Sequence, residues 1–95
     1  MEQILAKLEN WYSAQCNGEW EHTYGIKVDT LDNPGWSVTI DLDKTQWAAK
    51  EFPKIFIENS PNDWLRCWKD NRQFRGTGDP SKLRSLLSHF LDHVV

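Results

Sequence analysis

No run of twenty apolar residues occurs in the chain, so no segment is long enough to cross a bilayer as a helix. Cysteine is scarce, and the two present, Cys16 and Cys67, have no C-x-x-C spacing. The expected state is two reduced, mostly buried thiols, with a disulfide between them left open. A basic surplus is also missing: the formal net charge is −3 and the sequence pI about 5.5, far from the pI above ~9 of a typical nucleic-acid domain. There is no G-x-S-x-G, no H-E-x-x-H, and no serine or cysteine with an evident base beside it. No stretch has the composition of disorder. The opening "MEQILAKLENWY" carries acids and a helical period, unlike a secretory signal, and a cytoplasmic protein is expected.

What is abundant is aromatic. Six Trp, four Phe and two Tyr stand among 95 residues. A single domain over 1–95 is the natural count for this length. A chain this small buries only ~60–65% of its unfolded surface and needs large core side chains. Charge is unevenly spread. Residues 1–63 hold eleven acids and five lysines, net −6, and residues 64–95 hold three acids and six basic residues, net +3.

Ile4, Leu5, Leu8, Trp11 and Tyr12 form the stripe of an amphipathic helix that ends near Asn17-Gly18. Asp79-Pro80 reads as an N-cap and first helical position, followed by the stripe Leu83, Leu86, Leu87, Phe90, Leu91 and Val94. Between these helices the period is two. Trp20, His22, Tyr24, Ile26, Val28 and Thr30 alternate with Glu19, Glu21, Thr23, Lys27 and Asp29. Trp36, Val38, Ile40 and Leu42 alternate with Ser37, Thr39, Asp41 and Asp43. Asn33-Pro34-Gly35-Trp36 suits a type II turn with Gly35 at positive φ, and the two apolar faces coincide only if the loop has an odd number of residues. "KIFIEN", "DWLRCWK" (Trp64, Arg66 and Trp68 on one side) and "RQFRG" are further strands. Lys44–Pro53 is not readable beyond a short strand or helical turn. The order implies an α+β fold: an antiparallel sheet of about four to five strands with an N-terminal and a C-terminal helix packed on one face.

Several constellations invite a function. Glu19, Glu21 and His22 surround Trp20, but in a strand Glu21 and His22 point to opposite faces and cannot share a proton. Glu19, Glu21, Asp29, Asp41 and Asp43 then line the polar outer face of a hairpin. His89 and His93 lie at i, i+4, a zinc-compatible spacing, but their possible co-ligands Asp92, Cys16, Cys67 and His22 have no motif spacing, and no metal or cofactor is expected. "RGTGD" before a helix lacks the lysine and length of a P-loop and reads as a loop ending in a cap. Trp64, Trp68 and Phe74 interleave with Arg66, Lys69, Arg72 and Arg75, which would suit a stacking platform for single-stranded nucleic acid or an amphipathic hairpin with arginines over aromatic rings.

The stretch "WYSAQCNGEWEHTYGIKVDTLDNPGWSVTIDL", "DW" at 63–64 and "F-x-G-x-G-D-P-x-K-L" at 74–83 resemble the immunity protein 53 family of bacterial polymorphic toxin systems. The family's Trp-Glu motif is matched by Trp20-Glu21 and its Pro-Gly-Trp motif by Pro34-Gly35-Trp36, and the likeness runs from Trp11 to about Phe90. It implies an α+β, non-enzymatic antidote that binds and neutralises a cognate toxin encoded by a neighbouring gene. On that reading the acidic hairpin face, with Trp20 or Trp36 at its margin, is the expected toxin-binding surface, and Glu21 is the one motif residue expected to touch the partner. The alternative is a small module binding single-stranded nucleic acid through residues 64–75.

Overall fold

The computed structural model describes residues 2–94. Helix α1 (Glu2–Gln15) and a four-residue helix α2 (Trp20–Thr23) precede strands β1 (Ile26–Leu31), β2 (Gly35–Asp41), β3 (Ile55–Ser60), β4 (Asp63–Asp70) and β5 (Gln73–Gly78), and helix α3 (Leu83–Val94) follows. The strands form one antiparallel sheet in the order β1-β2-β5-β4-β3. This is the α+β fold the sequence pattern implies. Both edge strands, β1 and β3, are largely exposed. The connection from β2 to β3 crosses to the far edge, which lets β5 return to the centre.

Alternation decides what each strand buries. Val38, Ile40, Leu65, Cys67 and Phe74 point to one side, where α3 lays down Leu86, Leu87, Phe90, Leu91 and Val94. Helix α3 lies over β5, β2 and β4, and α1 packs beside it. Trp11 of α1 meets Phe90 with ring centroids 4.9 Å apart and Trp20 at 6.1 Å, both edge to face. Leu5 and Tyr12, the outer part of the α1 stripe, stay exposed.

Three local expectations are corrected, and the alternative left open for residues 44–53, short strand or helical turn, is decided for turns. Residues 20–23 wind into a helical turn rather than extending β1. Asn17 Oδ1 accepts the backbone N–H groups of Glu19 and Trp20 at 3.0 and 2.9 Å, and Tyr24 N donates to Trp20 O at 2.8 Å. A side-chain oxygen that satisfies such N–H groups favours a helical start over a strand. Helix α3 begins at Leu83, because Asp79–Lys82 forms a turn in which Lys82 N donates to Asp79 O at 3.0 Å. Residues 44–54 hold no strand: Thr45, Ala48 and Lys50 each donate to the carbonyl three residues back, and these turns carry Trp47 and Phe52 to the core.

The third correction concerns Gly35. Leu31 pairs with Gly35, so the loop is Asp32–Pro34 and of odd length, and the apolar faces of β1 and β2 coincide as required. The Asn33–Pro34 bond is cis, and among the glycines only Gly18 has positive φ. Gly35 is needed for space: a Cβ there would run into the backbone carbonyl oxygen of Gly78 on β5. Gly35→Ala is therefore expected to lower stability by about 1–3 kcal/mol through overpacking. Gly35→Asn should be no better, although asparagine tolerates left-handed backbone. Gly25→Ala, whose methyl would meet nothing within 4 Å, should stay within about 0.5 kcal/mol of the parent. Denaturant midpoints check this; Asn rescuing position 35 would restore the turn-conformation explanation.

Candidate functional site

The residues expected to form one acidic face do not share one. Asp29 on β1 and Asp41 on β2 lie on the sheet side opposite the core, whereas Glu19 and Glu21 travel with α2 and Asp43 lies beyond the end of β2. The break follows from the helical turn at 20–23. Glu21 is also occupied: its two carboxylate oxygens accept the N–H groups of Asn17 and Gly18 at 2.9 and 2.8 Å. A hydrogen bond from its own backbone N–H, with those from Asn17 and Gly18, holds its pKa below the ordinary value, against an opposing effect of burial. Asp41 accepts from Gly25 N at 3.0 Å and Gln73 Nε2 at 2.7 Å. Reversing Glu21 and Asp41 to lysine is accordingly expected to lower the melting temperature, not merely to change surface charge. An unchanged melting curve would show that these bonds contribute nothing.

The motif residues hold elements together. Trp20 is 4% exposed, and its indole N–H donates to Asp43 O at 2.8 Å. Trp36 Nε1 donates to Pro80 O at 2.9 Å, tying the start of β2 to the turn before α3. Asp79, 2% exposed, accepts from Trp64 N at 2.9 Å, Ser81 N at 2.8 Å, Ser81 Oγ at 2.6 Å and Lys82 Nζ at 2.8 Å. Lys82 also pairs with the half-exposed Asp63 at 2.8 Å. The segment "RGTGD", expected to be a loop ending in a cap, is instead the end of strand β5 followed by this Asp79 turn.

The residues weighed as metal ligands do not converge on one site: among the described residues no three His, Cys, Asp or Glu side chains cluster as a metal site. His93 Nδ1 meets the His89 carbonyl oxygen at 2.8 Å. Both cysteines are free thiols. Burial pushes the Cys67 thiol up to about 12, which makes it unreactive, and Cys16 at the end of α1 is half-buried. One thiol per chain should react with a thiol reagent in native buffer and two in denaturant. Two fast native thiols would contradict this packing.

The basic, aromatic hairpin divides in two. Phe74 is 2% exposed and belongs to the core. Lys69 turns inward and donates to the carbonyls of Ala48 and Lys50 at 2.6 and 2.7 Å. Trp64, Arg66 and Trp68 do share the opposite face, as alternation required, beside Arg75 of β5. Across β4 they meet a residue that sequence reading missed: Phe56 of β3, paired with Arg66 and 64% exposed. The Arg66 guanidinium sits 4.7 Å from the Phe56 ring centroid and 5.8 Å from that of Trp64. "KIFIEN" was recognisable as a strand, but its register against β4, and so the side on which Phe56 emerges, was not.

The sheet is thus backed by helices on one side and bare on the other. The bare side is polar at β1, β2 and β5 and aromatic at β4 and β3. A cavity of ≈ 330 Å³ at its aromatic end is lined by Asn33, Glu58, Pro61, Trp64 and Arg66. No helix among the described residues is long and apolar enough to cross a membrane.

These features define the class as a two-layer α+β protein whose accessible sheet face carries aromatic and guanidinium groups. A family model described as immunity protein 53 matches residues 5–95, and the chain belongs to that family. No curated protein and no solved structure matches it significantly.

Proposed function

We propose that this chain is a non-enzymatic antidote that binds a cognate polymorphic toxin, encoded by an adjacent gene, and blocks it by occupying its working surface. The observation that carries this reading is the immunity-family match, which extends over residues 5–95. The bare sheet face supports it, since exposed aromatic and arginine side chains are the residue types that dominate binding energy at protein interfaces. The nucleic-acid reading has lost two of its groups, Phe74 and Lys69, to the core side.

The test is co-expression. Cells making the adjacent gene's toxin domain should survive only when this chain is made with it, and the purified pair should form a stable complex by size exclusion and calorimetry. Equal killing with and without the chain, with no complex, would reject the proposal.

A further inference from the structure

We infer that the aromatic end of the bare sheet face is the toxin-contact surface, with Arg66 as the anchor for a carboxylate presented by the toxin. This rests on the immunity reading above and deepens it by naming the surface and the partner's chemistry.

Arg66 lies between two buried neighbours, Leu65 and Cys67, so strand alternation fixes its side chain on the bare face. Phe56 and Trp64 hold the guanidinium at 4.7 and 5.8 Å from their centroids. Such stacking limits the rotamers of a long side chain before any partner arrives, which reduces the ordering cost of binding. Among the described residues, no acidic side chain pairs with Arg66. Elsewhere on the same face, Asp41 is engaged with Gly25 and Gln73, and Arg75 with Asp70 at 3.5 Å. A planar, oriented and unpaired guanidinium complements a carboxylate, which it can grip with two parallel hydrogen bonds. The 64% exposed Phe56 ring offers apolar contact beside it. The acceptor is then an Asp or Glu with apolar neighbours on the toxin. A nucleic-acid strand fits less well, because other cations of the hairpin are engaged, Lys69 with the carbonyls of Ala48 and Lys50 and Arg75 with Asp70, so among the described residues no continuous line of free cations faces a line of phosphates.

The experiment is calorimetry of the full chain with the purified, inactivated toxin domain encoded by the adjacent gene. Arg66→Glu should weaken binding by at least ~30-fold, the size of a hot-spot loss. Arg66→Lys should also weaken it, because lysine keeps the charge but not the planar fork. Lys27→Glu, at the far edge of the same face, should stay within ~3-fold, as for a charge outside the contact. Arg66 is exposed and its ring contacts are weak at such a site, so each variant should remain folded and melt within several degrees of the parent. Replacing toxin acids one at a time by their amides should reveal one whose effect disappears in the Arg66→Glu background. Parent binding with Arg66→Glu unchanged would overturn this inference and leave the immunity reading standing. No binding by the parent would overturn the immunity reading, and this inference with it. Binding of a single-stranded oligothymidylate that Arg66→Glu abolishes, with toxin binding intact, would assign the surface to nucleic acid instead.

Discussion

Trp20→Ala is expected to remove about 3–5 kcal/mol of stability, the range for emptying a buried aromatic site. Native domains hold only about 5–15 kcal/mol in total, so the variant should melt tens of degrees lower or show no cooperative transition at all, at roughly 4–8 °C per kcal/mol for a chain of this size. The expectation follows from what the indole touches. It is 4% exposed, it packs with Trp11, Tyr12 and Tyr24 at centroid distances of 6.1, 6.0 and 6.1 Å, and its N–H donates to Asp43 O at 2.8 Å. Trp20→Phe keeps much of the packing, loses that hydrogen bond, and should cost about 1–2 kcal/mol. Circular dichroism melts of both variants test the claim. A Trp20→Ala melt within a few degrees of the parent would contradict it. A Trp20→Phe variant that keeps its melting temperature but loses toxin affinity would make Trp20 a contact residue.

The same residue shows where sequence reading reached its limit. Trp20, His22 and Tyr24 alternate as a strand should, yet Trp20 and Tyr24 are also one helical turn apart. Over four residues the two periods cannot be distinguished. What decides between them is Asn17, whose side chain accepts the N–H groups of Glu19 and Trp20. Asn17-Gly18 reads as the stop of α1, and the acid Glu21 stands four residues after Asn17, one beyond the three-residue spacing that marks a helix start, so no clear signal for α2 was legible. The long elements were readable because each has a full apolar stripe: five α3 side chains fall in the core, and β2 and β4 alternate without a break at their centres. The site was harder. Sequence placed Trp64, Arg66 and Trp68 together, but assigned Phe74 to them, although alternation through β5 buries it with Gly76 and Gly78. Phe56 was out of reach because cross-strand pairing is a long-range fact, set here by a connection that carries β3 to the far edge.

Trp20-Glu21 and Gly35-Trp36 therefore act on the fold. Trp20 closes the core between α1 and the end of β2. Glu21 gathers the chain entering α2. Gly35 admits the backbone of β5, and Trp36 ties β2 to the turn before α3. If the chain binds a toxin as proposed, specificity would then fall to residues other than these, on the bare face, where a change of partner need not disturb the core.

Asp79→Ala carries the other large expected effect, about 2–4 kcal/mol. The variant would leave the Trp64 N–H buried without an acceptor and would remove the oxygens that hold Ser81 and Lys82, and such orphaned groups keep their desolvation penalty. Asp79→Asn should be intermediate, since an amide retains an acceptor but turns an N–H₂ toward groups that are themselves donors. The charge also sets a pH window. Burial alone would raise the pKa of Asp79, but hydrogen bonds from Lys82 Nζ, the Ser81 hydroxyl and N–H, and Trp64 N outweigh it and hold the carboxyl well below its ordinary value of 3.8. A group depressed in the folded state contributes stability that is fully present above the unfolded pKa and is lost as pH falls through the folded one. The parent should therefore keep its full Asp79 contribution at neutral pH and lose it progressively below about pH 4. Asp63 shifts the same way through Lys82 and Asn59, but it is half exposed, so added salt should screen its share and leave that of Asp79. Melting curves from neutral pH down through the acid range should show the parent falling steeply in this window and Asp79→Asn falling less. Parallel slopes for the two proteins would mean that the buried carboxylate is not what fixes the turn between β5 and α3.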